Sequence, residues 1–240
     1  DQDDLVASKI CEIERVDYYH STFVNEGGSI HTDGQGTLLT TESCQLNPNR
    51  NPKLSCGEVE AQLRAYLGIE KIIWLERGVY EDETDGHIDN LCCFVRPGVV
   101  ALTWTDDKTD PQYERSAAAY DRLMSATDAQ GRPLTVHKIH QPNPMVMTQA
   151  EADGLDVVDT ALLRPEGERL AGSYINFYIA NGGIIMPQFN DVHDVPAKQA
   201  LAELFPQHDI VGVPAREILL GGGNIHCITQ QQPAPMSSKV

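Results

Sequence analysis

The sequence predicts an α/β fold assembled from a repeated strand–strand–helix–strand unit, and three observations carry that prediction. Apolar runs of strand length alternate with longer amphipathic windows of helical period. Glycine-containing turns separate the first two runs of each unit. The same order then recurs three times within 240 residues, as expected when a supersecondary unit cannot bury its apolar face alone and must stack on copies of itself.

The first unit reads as a strand from Phe23 to His31, a turn at Thr32–Gly36, a strand from Thr37 to Glu42, a helix from Gly57 to Leu67 and a strand from Lys71 to Leu75. The second runs from His87 through Val95, turns at Arg96-Pro97-Gly98, continues Val99 to Thr103, forms a helix from Pro111 to Ala126 and ends in Leu134 to His140. The third has Tyr174 to Ala180, a turn at Asn181-Gly182-Gly183, Ile184 to Gln188, a helix from Val195 to Leu204 and Ile210 to Val213. Between the second and third, Pro142 to Glu168 reads as an inserted loop; a fourth unit opens at Gly221 and stops, and Pro233 to Val240 is a polar tail.

A length of 240 residues with 41% hydrophobic content suits a single domain, 1–240, with a sizeable core. The net charge of −17 argues against nucleic-acid or anionic-membrane partners, which need clustered cations, and suits a cationic small molecule. No apolar run approaches the roughly 18 residues of a membrane span. The six cysteines lack CxxC pairing or compact disulfide spacing, so free thiols and a cytoplasmic location are expected. The Asp1-Gln2-Asp3-Asp4 start is neither a leader nor an initiator methionine, so truncation at the N-terminus is also expected.

Two segments carry the chemistry. In Gly221-Gly222-Gly223-Asn224-Ile225-His226-Cys227-Ile228-Thr229 a cysteine stands between a triple glycine and a β-branched stretch. Glycines allow positive φ and close backbone approach, and Ile-His-Cys-Ile-Thr reads as a buried strand, making Cys227 the candidate nucleophile and turning His226 to the opposite face. In Asp85-Gly86-His87-Ile88-Asp89, strand spacing points His87 and Asp89 to one face, giving a base and an acid a common pocket. On residues alone, this pair could be a structural hydrogen bond or, with a cysteine, a zinc site, though no further Cys or His shows recognisable ligand spacing. Glu26 could cap a turn through the glycines after it. Cys11, Cys44, Cys56, Cys92 and Cys93 read as small buried hydrophobes, and the glycine run lacks the Lys-Ser/Thr of a phosphate loop.

Three blocks, Asn25-Glu26-Gly27-Gly28-Ser29-Ile30-His31-Thr32-Asp33-Gly34, Asp85-Gly86-His87-Ile88-Asp89-Asn90 and Gly221 to Gln232, resemble the agmatine deiminase family of the guanidine-modifying pentein superfamily. The resemblance implies a pentein-type α/β propeller of ββαβ modules, three of them complete in this chain plus the start of another. It implies hydrolysis of agmatine to N-carbamoylputrescine and ammonia, without cofactor or metal, in a homodimer or higher oligomer. It places the nucleophile on Cys227, the general acid/base on His87, the carboxylate orienting that histidine on Glu26 and a guanidinium-binding carboxylate on Asp89. Asn176 and Gly223 are further candidates for the substrate pocket; Asn176 takes in the third unit the place of Asp89 in the second.

Members of that family carry an N-terminal Arg-Asp-x-Gly-Pro segment, absent here, whose Asp completes the guanidinium clamp. The chain therefore resembles the larger C-terminal piece of such an enzyme, with a separate N-terminal polypeptide as a conceivable partner. Agmatine lacks a carboxylate, so no pocket arginine is expected; Glu83 and Asp85 either meet its distal ammonium or form a solvated acidic turn. The alternatives within the superfamily are a peptidyl-arginine or free arginine deiminase and a non-catalytic binding protein.

Overall fold

The computed structural model describes residues 2–156 and 164–233. Expectations for 157–163, within the insertion, and for 234–240, in the tail, lie outside the described residues.

Helix α1 (Val6–Glu14) precedes the first sheet, which contains β1 (Ile30–Thr32), β2 (Thr37–Thr41) and, after helices α2 (Glu42–Gln45) and α3 (Cys56–Leu67), β3 (Lys71–Leu75). β1 pairs antiparallel with β2, Ile30 opposite Thr40, while β2 pairs parallel with β3, Thr37 opposite Lys71. A tight turn suffices for the first pairing; the second needs a crossover, which α3 supplies. Its start is fixed by a capping box between Ser55 and Glu58, and Gly68 closes it in the left-handed region at φ 64°.

The same order builds the second sheet. Helix α4 (Ile88–Leu91) leads into β4 (Cys92–Arg96), which pairs antiparallel with β5 (Val99–Trp104); α5 (Pro111–Ser125) then returns the chain to β6 (Thr135–His140), parallel to β5. Asp110 caps α5 and Pro111 occupies its first turn, where a missing N–H costs nothing. The insertion holds β7 (Met145–Val146), α6 (Gln149–Asp153) and β8 (Arg169–Leu170), β7 and β8 forming a two-stranded sheet. The third sheet has β9 (Tyr178–Ala180) antiparallel to β10 (Gly183–Gln188), and α7 (Asp194–Leu204) crosses over to β11 (Asp209–Pro214), parallel to β10. Helix α8 (Arg216–Leu220) precedes the glycine run.

Core packing follows this partition. Leu39, Leu75, Ile88, Leu91, Val100 and Leu102 bury between the first and second sheets, and Tyr174, Ile175, Ile184, Met186, Leu201 and Phe205 form the core of the third. Among the described residues no helix is long and apolar enough to cross a membrane.

Three sequence expectations are corrected. The leading strands are shorter than predicted: Gly27–Ser29 is a 3-10 turn, and residues 174–177 precede β9. His87 to Leu91 is not strand but the cap and body of α4, and the expected loop contains β7 and α6.

Candidate active site

The segments before β1 and before β4, together with the turn after the glycine run, converge on one cavity of about 290 Å³ lined by Glu26, Gly28, Thr84, His87, His226, Cys227 and Gln230. His87 and Asp89 share a pocket for a reason other than strand alternation. His87 is the N-cap of α4, and Asp89 lies in its first turn. Gly28 lies against both: a Cβ there would stand 2.5 Å from His87 Nδ1 and 2.6 Å from Asp89 Oδ2. Only glycine lets the chain pass at that distance.

Cys227 also departs from the expected strand, lying in a 3-10 turn, His226–Ile228. Consequently His226 does not face away from the thiol's surroundings. It is buried, and its Nδ1 is 2.9 Å from Asp89 Oδ2, the oxygen that also accepts from Cys227 Sγ at 3.4 Å. The other oxygen, Asp89 Oδ1, is buried without a hydrogen-bond partner among the described residues. Asn176, fully buried, donates Nδ2–H to Cys227 Sγ at 3.2 Å and accepts from the His226 N–H at 2.8 Å. At Gly223 a Cβ would approach Cys227 Cβ to 2.5 Å. The thiol thus sits on side chains from two sheets and on a backbone that tolerates no side chain.

Burial, above all, and the Asp89 charge push the Cys227 thiol up to about 12, against the Asn224 N–H and the Asn176 amide, which favour the thiolate. His87 behaves oppositely. Burial would lower it, but Cys44, Glu26 and the Asp89 charge raise it to about 10. Burial would raise Glu26, but His87 and Arg50 hold it at about 2. His87 Nε2 lies 3.8 Å from Glu26 Oε1, an ion pair rather than a hydrogen bond, whereas Arg50 Nε donates to both Glu26 oxygens at 2.8 and 2.9 Å. Arg50 is therefore the firmer hold on Glu26.

Arg50 carried no signal in the sequence. Its side chain, 7% exposed, also donates to Asp85 Oδ2 and to the Thr84 carbonyl, each at 2.8 Å. Of the two readings for Glu83 and Asp85, ammonium partners or a solvated acidic turn, neither describes these carboxylates, which are ion-paired: Asp85 is held by Arg50 and Asn49, and Glu83 by Arg164, which also caps the Leu219 and Leu220 carbonyls. Cys44, fully buried, is the second residue missed. Its sulfur, a Glu26 oxygen and a His87 nitrogen all lie within 4.8 Å of one another, a donor set able to hold a metal ion.

The cavity thus brings together a thiol and an imidazole–carboxylate pair, with the buried Asp89 carboxylate 3.4 Å behind the thiol, group types that can support nucleophilic chemistry. The mixed α/β fold is that of solved agmatine deiminases. The structure of the agmatine deiminase of Enterococcus faecalis superposes with a TM-score of 0.92 at 48% identity, over 97% of this chain and 64% of that one. Agmatine deiminases of Pseudomonas aeruginosa strain LESB58 and Pseudomonas fluorescens strain SBW25 are 60% and 59% identical over 98% of this chain. The chain spans 64% of the length of these relatives. The model of the Porphyromonas-type peptidyl-arginine deiminases matches residues 1–233, and the chain belongs to that family.

Proposed function

We propose that this chain carries the catalytic part of an agmatine deiminase, hydrolysing the guanidinium of agmatine to N-carbamoylputrescine and ammonia through a covalent adduct on Cys227. The observation that carries this reading is Asp89: one oxygen is engaged by His226 and Cys227, and the other is buried and unpartnered beside the thiol. A guanidinium N–H answers that oxygen with a charge-assisted hydrogen bond. The relatives' names point the same way.

On this reading the substrate activates its own nucleophile. A guanidinium against Asp89 offsets the charge that raises the thiol, so Cys227 releases its proton to solvent and the thiolate attacks the central carbon. His87, held protonated, gives its proton to one amino group; ammonia departs and a thiouronium remains on Cys227. The neutral His87 then takes a proton from water as the hydroxide adds, and collapse expels the thiolate and leaves the urea. Glu26, fixed by Arg50, keeps His87 basic and oriented. Asn176 and Gly223 position the sulfur.

Among the described residues no Lys or Arg lines the cavity, and Arg50 and Arg164 are committed to carboxylates; the described lining therefore suits agmatine better than arginine. The three sheets, on this reading, are blades of a pentein propeller in one domain, the protein is cytoplasmic, and it assembles as a homo-oligomer. Colorimetric detection of ureido product from agmatine, with arginine in parallel, tests the proposal. Product from agmatine alone is expected; product from arginine alone overturns the substrate assignment.

A further inference from the structure

We propose that Glu26, Cys44 and His87 form a binding site for a zinc-class divalent cation, distinct from the thiol of Cys227, whose occupation switches the site off. The ligand types are a thiol, an imidazole and a carboxylate, the set that zinc takes at about 2.0–2.3 Å in a tetrahedron, which places ligand atoms about 3.3–3.8 Å apart. Here the three donor atoms lie within 4.8 Å of one another, and the His87 Nε2 to Glu26 Oε1 separation is 3.8 Å. A contraction of at most about 1–1.5 Å among side chains closes the shell.

The second observation is His87 itself. Its side chain is 10% exposed and its Nε2, ion-paired with Glu26 at 3.8 Å, is buried with no hydrogen-bond partner among the described residues. Glu26 remains available despite Arg50. One guanidinium nitrogen serves both carboxylate oxygens, so Oε1 can turn to a cation while Oε2 keeps Arg50, which retains Asp85 and the Thr84 carbonyl. Cys44 is fully buried, but Glu26 and His87 both line the open cavity, which gives the ion a path and a water the fourth position. Binding displaces one proton from the Cys44 thiol and one from the imidazole to solvent. A cation on His87 Nε2 and Glu26 leaves the imidazole unable to move a proton, so inhibition, which rests on the function proposed above, follows from occupancy.

Cobalt titration of the intact chain tests the site without turnover, because a thiolate ligand gives Co²⁺ a charge-transfer band in the near ultraviolet. One equivalent is expected to bind, to be displaced by zinc, and to bind unchanged in Cys227→Ala. Cys44→Ser and Glu26→Gln are each expected to weaken binding by roughly tenfold or more, the scale on which even partners of metal ligands act; Glu26→Gln guards against misfolding at the buried cysteine. No band in the unaltered chain, a band that survives Cys44→Ser, or a band lost in Cys227→Ala overturns the proposal. Turnover of agmatine without cobalt binding overturns it while leaving the deiminase reading intact.

Discussion

Asp89→Asn, read by alkylation of the free thiol without substrate, tests the electrostatics of the nucleophile. Asn preserves the size of the side chain and removes its charge 3.4 Å from Cys227 Sγ. Coulomb's law in water's dielectric sets that charge at about 1.2 kcal/mol against the thiolate, on the order of a tenfold change in thiolate fraction. Cys227 is exposed but Asp89 is buried, so the water-dielectric value is the lower bound on that effect. The assay is the second-order rate of iodoacetamide alkylation at pH 8, where the thiolate is a minor species. Peptide mass spectrometry separates the label on Cys227 from that on Cys56, since both cysteines are exposed. The variant is expected to alkylate roughly tenfold faster than the unaltered chain while losing agmatine turnover. An unchanged or slower rate refutes the claim that Asp89 suppresses the free thiol.

Gly28→Ala is expected to abolish turnover while leaving melting cooperative, because its Cβ displaces His87 and Asp89 together. His226→Ala removes the donor that fixes Asp89 Oδ2 and should cost about tenfold to a hundredfold in kcat/KM, the value of a hydrogen bond to a charged group; His226→Asn, which keeps a donor near the Nδ1 position, should restore part of it, and equal loss in both variants contradicts the assignment. Stability measured by urea unfolding should follow the two perturbed groups. Glu26 is depressed from 4.5 to about 2, so its contribution is present above pH 4.5 and lost as pH falls toward 2. His87 is raised from 6.5 to about 10, so its contribution is present below pH 6.5 and lost as pH rises toward 10; an alkaline limb unaltered in His87→Gln contradicts this.

The strand–strand–helix–strand rhythm was legible because it is local. β2, β3, β5 and the helices α3, α5 and α7 begin and end within a few residues of where periodicity, caps and glycine turns put them. The stretches that form the site broke the local rule. Ile225, Ile228 and Thr229 favour strand, yet Asn224 is pinned to the Asn90 side chain and the Ala171 carbonyl, and the His226 N–H to Asn176; these distant bonds coil the chain into a 3-10 turn against its propensity. His87 met Asp89 through a helix cap for the same reason: residues 88 to 91 are all buried, and burial on every side erases the periodicity that distinguishes strand from helix. Arg50 and Arg164 were invisible because an arginine in a loop announces nothing about the carboxylate it will find 24 or 81 residues away.

The most direct test of the account is intact-mass analysis of the chain quenched in acid during turnover of agmatine, with peptide mapping of the adduct. The account predicts an added mass of agmatine less ammonia on Cys227, formed far more slowly in His87→Ala, where neither the departing ammonia is protonated nor water activated, and absent from Cys227→Ala along with all ureido product. Ureido product from Cys227→Ala, or an adduct on any other cysteine, would contradict it.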